Sequence, residues 1–76
     1  MIHDDTQAFL TTNQLAYRYG LKAKTIKNWR YENTGPSYYE VPKLGAPFAA
    51  ERIRYKLADI LAWEQANNIT PINQNQ

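Results

Sequence analysis

The 76-residue chain contains no cysteine, and its only histidine is His3. Without cysteine it can form neither a disulfide nor a thiolate metal site. His3 lies beside Asp4 and Asp5, and such a set of side chains is able to hold a metal ion. A histidine in a polar terminal stretch is more often a solvated side chain, so we expect no metal site and no cofactor.

Long apolar runs are also missing. No segment approaches the roughly 18 apolar residues of a membrane span, and no charged start followed by an apolar stretch suggests a signal peptide. We therefore expect a cytoplasmic protein with no membrane partner. A chain of this length buries only about 60 % of its unfolded surface, which leaves little room for a substrate pocket.

The residue patterns of common enzymes are absent as well. The sequence has no paired carboxylates, no nucleophile with its base and no phosphate-cradling glycine loop, because its three glycines all fall in predicted turns. A tyrosine nucleophile of the recombinase kind would need a pocket rich in arginine and histidine, which a chain this short cannot build. We therefore expect no catalytic residues and no enzymatic activity.

Acidic residues are absent between Thr6 and Tyr31, a stretch that carries five basic ones. These are Arg18, Lys22, Lys24, Lys27 and Arg30. A second basic group contains Arg52, Arg54 and Lys56. Such segregation of charge is expected for a protein whose partner is a polyanion. The alternative for either group is an ordinary solvated face.

The first helix is predicted to follow Thr11 and to run to about Tyr19. Thr11 and Gln14 have the spacing of a capping box, in which each side chain bonds the other residue's backbone N–H. Gly20 then ends the helix, since glycine adopts the left-handed conformation at little steric cost. The 3-4-3 spacing of apolar positions predicts a buried face made of Thr12, Leu15, Ala16 and Tyr19.

Only Leu21 and Lys22 separate Gly20 from the second predicted helix, Ala23–Tyr31, which is the spacing of a helix-turn-helix. Its buried face contains Ala23, Ile26 and Trp29. Thr25 falls at the border, and Arg30 lies beside the apolar face with its head directed outward. The opposite face presents Lys24, Lys27, Asn28 and Tyr31.

A small hairpin is predicted next, and we call it the wing. Asn33–Pro36 forms a turn, Ser37–Val41 a strand, and Arg52–Tyr55 a returning strand with Ile53 and Tyr55 inward and both arginines outward. The third helix, about Leu57 to Asn67, has an apolar arc of Leu57, Ile60, Leu61 and Trp63. Both tryptophans lie on apolar faces, so we expect core packing rather than base stacking.

The predicted fold class is mainly α with a small β-hairpin, in the order helix-turn-helix, two-stranded wing and C-terminal helix. The predicted organisation is a flexible N-terminus at residues 1–8, a winged helix-turn-helix domain at 9–67 and a flexible polar tail at 68–76. Tyr38 and Tyr39 are ambiguous, because each fits either packing under the wing or contact with a backbone.

Residues 9–67 carry a series of short stretches at a familiar spacing. They are Leu10-Thr11, Leu15-Ala16, Gly20-Leu21, Thr25-Ile26, Trp29, Gly35-Pro36, Arg52-Ile53-Arg54-Tyr55, Leu57, Asp59-Ile60 and Ala62-Trp63. In this order they resemble the excisionase and AlpA-like helix-turn-helix family, which is related to the MerR DNA-binding domain. The resemblance implies a winged helix-turn-helix protein of a phage or other mobile element. Its members act as recombination directionality factors beside an integrase, or as transcriptional regulators, and many bind adjacent DNA sites cooperatively.

Under this hypothesis the second helix enters the major groove of double-stranded DNA, and Asn28 contacts an adenine. Arg52 and Arg54 contact the neighbouring backbone from the wing, while Arg18 and Lys22 anchor the backbone that the first helix crosses. Tyr31 either packs under the wing or touches the sugar-phosphate backbone. The predicted DNA-contacting residues are Arg18, Lys22, Lys24, Thr25, Lys27, Asn28, Tyr31, Arg52 and Arg54.

The sequence departs from the family pattern in two places, and the second departure supports a different class of function. Lys22 stands where a small polar cap is usual, and Pro42–Glu51 is longer than a short glycine turn. This insertion offers Leu44, Pro47 and Phe48 to a protein partner. The alternative is therefore a protein-interaction module, an adaptor or inhibitor built on the same fold.

Overall fold

The computed structural model describes residues 8–40 and 52–73. This part of the chain combines three helices with a three-stranded antiparallel sheet. In chain order the elements are β1 (Phe9–Leu10), α1 (Thr12–Tyr19), α2 (Ala23–Tyr31), β2 (Tyr39–Glu40), β3 (Ile53–Lys56) and α3 (Leu57–Asn67). The protein is thus a mixed α and β domain, and its helix bounds confirm the predicted ones.

Local signals explain where the helices begin and end. The Thr11 hydroxyl accepts a hydrogen bond from the Gln14 backbone N–H at 3.1 Å, and the Gln14 side chain accepts one from the Thr11 N–H at 2.9 Å. These bonds confirm the capping box and satisfy N–H groups that the first turn leaves without partners. Gly20 ends α1 with φ 66°, as predicted. Lys22 occupies the N-cap position of α2, and its side chain makes no capping hydrogen bond.

The sheet contains one strand more than the sequence predicts. β3 is central: Phe9 pairs with Lys56 and Leu10 with Tyr55 on one side, while β2 pairs with β3 on the other. A strand as short as β1 shows too little alternation to be recognised in the sequence. The predicted two-stranded wing is therefore the β2–β3 half of a larger sheet. β2 begins at Tyr39 rather than Ser37, and Val41 lies outside the described residues.

The core lies between the helices and the inner face of this sheet. Leu15, Ile26 and Ile60 are completely buried, and Tyr55 from β3 is almost so. The remaining members of the core are Leu10, Ala16, Tyr19 and Leu57, with Trp29, Ile53, Trp63 and Ile69 packed against it. The predicted buried face of α1 and the inward positions of Ile53 and Tyr55 are confirmed.

The two tryptophans pack together beside Tyr19. The ring centroids of Trp29 and Trp63 are 5.4 Å apart, and the Tyr19 ring lies 6.0 Å from Trp29 and 5.9 Å from Trp63. Aromatic pairs at such distances add stabilisation beyond the area they bury. This cluster confirms that the tryptophans belong to the core.

The buried face of α3 differs from the predicted arc. Leu61 was expected in the core, but 39 % of its surface is exposed. The buried positions are Leu57, Ile60 and Glu64, which follow one another at intervals of three and four residues on the same side of the helix. Glu64 is tolerated there because it has buried hydrogen-bond partners, which a search for apolar periodicity cannot detect.

Residues 69–73, which belong to the predicted flexible tail, contact the end of α1. The backbone N–H groups of Ile72 and Asn73 both donate to the Arg18 carbonyl at 3.0 Å, and the Asn73 side-chain amide donates to the Tyr17 carbonyl at 2.6 Å. Carbonyls at the end of a helix need such partners, so the segment is held against the end of α1. At the other terminus, the Leu57 N–H donates to the Ala8 carbonyl at 2.9 Å. Residues 1–7 and 74–76 lie outside the described residues.

The turn after α2 requires a glycine at position 35. Gly35 has φ 82°, a left-handed conformation that is unfavourable for other residues. A Cβ atom there would lie 2.7 Å from Cε3 of Trp29, closer than real contacts allow. The Thr34 N–H also donates to the Trp29 carbonyl at 2.8 Å. The turn is therefore packed directly on α2.

Gly35→Ala is expected to lower the free energy of unfolding by about 1–3 kcal/mol, because it adds left-handed backbone strain and a contact with Trp29. Urea unfolding monitored by tryptophan fluorescence measures the change. Ser37→Ala, at an exposed site two residues away, is the control and should leave the midpoint unchanged. A Gly35→Ala midpoint equal to that of the wild type would contradict the close packing of this turn.

Candidate nucleic-acid interface

One side of α2 forms a continuous polar face. Lys24, Lys27, Asn28 and Tyr31 are all exposed, and Tyr31 exposes 86 % of its surface. Ile26 on the opposite side is completely buried and anchors the helix to the core. The predicted division of α2 into a buried side and an exposed side is thereby confirmed. We call the four exposed residues the α2 face.

The connection between α1 and α2 places Lys22 and Thr25 next to this face. The Leu21 N–H donates to the Ala16 carbonyl at 2.9 Å, which closes the end of α1. The Lys22 carbonyl accepts from the Thr25 N–H at 3.0 Å and starts α2. Lys22 is exposed and Thr25 is half-buried. Both predicted site residues therefore lie in the first turn of α2 or directly before it.

Arg30 does not direct its head outward as the sequence suggested. Its Nη1 donates to Thr12 Oγ1 at 3.1 Å and to the Tyr55 hydroxyl at 2.9 Å, while its guanidinium carbon lies 5.7 Å from the centroid of the Tyr38 ring. The buried hydroxyls of α1 and β3 need partners, and Arg30 supplies one to each. It therefore joins α2 to both elements.

The wing arginines differ from each other in their surroundings. Arg52 is exposed, and its Nη2 lies 3.2 Å from a carboxylate oxygen of Glu40. An exposed ion pair of this kind contributes little stability, about 0–1 kcal/mol. Arg54 is half-buried, and its Nη1 donates to the Ile53 carbonyl at 2.8 Å. The outward placement is confirmed for Arg52, whereas Arg54 lies partly against the sheet.

Arg18 is wrongly placed in the predicted DNA-contacting set. Only 6 % of its surface is exposed. Its Nε donates to Glu64 at 2.7 Å and its Nη2 to the other carboxylate oxygen at 3.0 Å, and the Tyr19 hydroxyl donates to the same carboxylate. A guanidinium held on both oxygens of a buried carboxylate cannot reach a DNA phosphate. Nothing in the sequence near Arg18 reveals this partner, which is 46 residues away.

The ionisation of this cluster follows from its contacts. Burial alone would raise the pKa of Glu64, but the hydrogen bonds from Arg18 and Tyr19 outweigh it and hold the pKa below its usual value. The hydrogen bond to Glu64 raises the pKa of Arg18, and burial raises the pKa of Tyr19. The carboxylate and the guanidinium therefore both remain charged inside the protein.

Sequence reasoning missed an aromatic pair on the outer face of the sheet. Phe9 is 51 % exposed and Tyr39 is 46 % exposed, and their rings meet edge to face with centroids 6.0 Å apart. The Tyr39 hydroxyl donates to Asp59 at 2.9 Å, and this bond raises the pKa of Tyr39. The pair forms because β1 and β2 flank β3, an arrangement that depends on the strand the sequence does not reveal.

The structure brings some predicted residues together and leaves others apart. Lys24, Lys27, Asn28 and Tyr31 share one helix face, with Lys22 and Thr25 beside it. The two arginines lie on the separate wing. The insertion at 42–51 and the His3 region fall outside the described residues.

Within residues 8–40 and 52–73 no group of three or more histidine, cysteine, aspartate or glutamate side chains could hold a metal ion. In the same ranges no helix combines the length and apolarity needed to cross a membrane.

Glu64→Gln is expected to lower the free energy of unfolding by about 3–5 kcal/mol near neutral pH, because it leaves Arg18 buried without its counter-charge. The double variant Arg18→Met with Glu64→Met removes both charges and should recover most of that loss. Urea unfolding measures both effects. A double variant as unstable as Glu64→Gln would contradict a stability effect of the unpaired charge.

The wild type is also expected to lose stability in acid. Since the pKa of Glu64 is lowered in the folded state, its contribution is complete above the usual value of 4.5 and is lost as the pH falls through the lower folded value. Unfolding followed from neutral pH to below 4.5 should show a smaller loss in the double variant. An equal loss of stability in the wild type and the double variant would contradict the lowered pKa of Glu64 in the folded state.

Comparisons of the chain with protein family models, with curated proteins and with solved structures find no match. The resemblance to the excisionase and AlpA-like family therefore rests on the residues of this sequence alone.

Proposed function

We propose that this chain is a winged helix-turn-helix protein that binds double-stranded DNA by placing α2 in the major groove. The observation that supports it best is the α2 face, where Lys24, Lys27, Asn28 and Tyr31 are exposed together. The major groove is wide enough to admit a helix. Cations, amides and phenols are the groups that bind phosphates and base edges.

The charge distribution supports the same partner. No acidic residue occurs between Thr6 and Tyr31, and Arg18 in that stretch is paired inside the protein. The exposed charges of the segment are therefore the lysines at and before the α2 face. A surface with one sign of charge attracts the phosphate backbone of DNA and accelerates association.

The wing is proposed to contact the backbone next to that groove. Arg52 would exchange its exposed bond with Glu40 for a phosphate, which costs little because surface ion pairs are weak. Arg54, two residues further along the chain in β3, would contact the same backbone. Lys22 and Thr25 would contact the backbone at the beginning of α2, where the chain turns away from α1.

The family resemblance extends the proposal to a biological role. It suggests a recombination directionality factor that bends DNA beside an integrase, or a transcriptional regulator, in either case a protein that associates cooperatively on adjacent sites. Both roles use the same domain and no enzymatic activity. A circular-permutation bending assay, followed by integrase-dependent excision with the purified protein, separates them.

A protein-interaction module is the second candidate, and the exposed aromatic pair favours it. Phe9 and Tyr39 each expose about half of their surface on the outer sheet face, and exposed aromatic side chains are frequent in protein interfaces. Absence of salt-sensitive DNA binding would favour this candidate over the first.

Lys24→Ala combined with Lys27→Ala is expected to weaken binding to every duplex. Each phosphate contact that is lost should flatten the dependence of log K on log salt by about 1. Fluorescence anisotropy at several salt concentrations, with duplexes from the DNA around the gene, measures both quantities. Lys56→Ala, a lysine outside the predicted set, is the charge control. Unchanged affinity and slope in the double variant would exclude α2 as the groove-binding helix.

Asn28→Ala tests sequence recognition separately from charge. At a preferred site selected from a random duplex pool, we expect a loss of about 1–3 kcal/mol, because a bidentate amide contact to adenine is removed. Binding to an unrelated duplex should stay the same, since the variant keeps every cation. An equal loss on both duplexes would show that Asn28 does not specify a base.

A further inference from the structure

The outer face of the sheet brings aromatic and basic side chains together. In an antiparallel sheet, directly paired residues place their side chains on the same face. Phe9 of β1 pairs with Lys56, and Tyr39 of β2 pairs with Arg54. These four residues therefore share one face of the sheet, whereas Tyr55 of β3 is buried on the other. We call Phe9, Tyr39 and Lys56 the sheet face.

The two rings of the sheet face form a corner that accepts a flat group. They meet at an angle of 88° with their centroids 6.0 Å apart, and each is about half exposed. A planar group stacked on one ring would also touch the other, because the rings stand at right angles. The Tyr39 hydroxyl donates to Asp59 at 2.9 Å, which holds this ring in place before a ligand arrives. A group that is already held in place loses less entropy on binding.

Lys56 supplies a cation beside this corner. It is half-buried, and among residues 8–40 and 52–73 no carboxylate forms an ion pair with it. It lies directly opposite Phe9 in the register, where paired Cα atoms are about 4.5–5.5 Å apart. A ligand that stacks on the Phe9 ring therefore has a positive charge next to it.

The neighbouring acidic side chains have partners of their own. Asp59 accepts the hydrogen bond from Tyr39, and Glu40 pairs with Arg52 at 3.2 Å. Arg54 lies between the two rings in the register and donates to a backbone carbonyl at 2.8 Å, so no contact with the ligand is assigned to it. The cation that this face offers to a ligand is therefore Lys56.

Aromatic rings beside a cation are a common means of binding single-stranded nucleic acid. The bases stack on the rings, and the cation contacts the phosphate backbone. A duplex does not fit this chemistry, because its base faces are stacked inside the double helix and only their edges are accessible in the grooves. A hydrophobic protein partner would use the rings but would have to desolvate Lys56 without pairing its charge.

We propose that the sheet face binds single-stranded DNA, with a base stacked in the corner between Phe9 and Tyr39 and a phosphate of the strand on Lys56. DNA is chosen over RNA because proteins recognise RNA through hydrogen bonds to its 2′-hydroxyl, and the Tyr39 hydroxyl already binds Asp59. The sheet face is separate from the α2 face, so binding here does not require α2 to enter a groove.

Fluorescence anisotropy of the full chain with a labelled oligothymidine of about eight nucleotides tests the proposal. Binding should saturate, and the ring proton signals of Phe9 and Tyr39 should shift in nuclear magnetic resonance spectra. Oligouridine of the same length should bind no more tightly. Ring signals that stay in place, or tighter binding of oligouridine, would overturn the proposal. Absence of saturable binding would also overturn it and would leave the aromatic pair to a protein partner.

Phe9→Leu combined with Tyr39→Leu removes the stacking surfaces and keeps both side chains apolar. It should weaken oligothymidine binding at least about tenfold and leave duplex binding unchanged. Tyr17→Leu changes an exposed tyrosine on α1 and is the matched control, which should have no effect. Urea unfolding shows whether the double variant is folded. If it is not, Tyr39→Leu alone is used and should weaken binding at least about fivefold. Unchanged binding in the folded variant, or equal weakening by the control, would overturn the site.

Lys56→Ala tests the phosphate contact. It should weaken oligothymidine binding and flatten the dependence of log K on log salt by about 0.7, the value for one phosphate of a single strand, while duplex binding stays the same. The Lys24→Ala, Lys27→Ala variant should show the opposite pattern, so a failure of duplex binding at the α2 face is recognised separately from a failure of the sheet face. Loss of oligothymidine binding in that variant, with Lys56→Ala unaffected, would place the strand on α2 and overturn the proposal.

Discussion

The position of α2 depends on the hydrogen bonds of Arg30. Thr12 and Tyr55 are buried, and hydroxyls in such places are expensive to leave without partners. Arg30 donates to both, so α2 is tied to α1 and β3 by the residue that follows Trp29. Together with the burial of Ile26, these bonds decide which side of the helix meets solvent. The exposed lysines of α2 are held in place by contacts on its opposite side.

Buried contacts also determine which positive charges of the basic segment are exposed to solvent. Arg18 belongs to a basic segment by sequence, yet it is neutralised inside the protein by Glu64. Arg30 also lies in that segment, and its hydrogen bonds direct it to the buried hydroxyls of Thr12 and Tyr55. The outward positive charge of the segment is therefore concentrated on Lys22, Lys24 and Lys27. A count of the basic residues in the sequence alone would assign this positive charge to five side chains.

Much of this fold could be predicted because its signals are local. The Thr11 cap, Gly20 and the apolar spacing of α2 each act within a few residues, and they gave the helix bounds and the composition of the α2 face. Pairings between segments that are far apart in the chain could not be predicted from the sequence. The two-residue β1 has no periodicity of its own and exists because β3 accepts it. The partner of Arg18 is 46 residues away, so an apparently free cation proved to be buried.

The contacts of the last described residues have a consequence for how the chain folds. The bond between Asn73 and Tyr17 spans 56 residues, and β1 joins β3 over nearly as great a separation. Such contacts must wait until a long loop has closed, which carries an entropic cost that local helix formation does not. The protein should therefore fold more slowly than a three-helix bundle of its size. Its first helix should gain full protection from hydrogen exchange only when the end of the chain is in place.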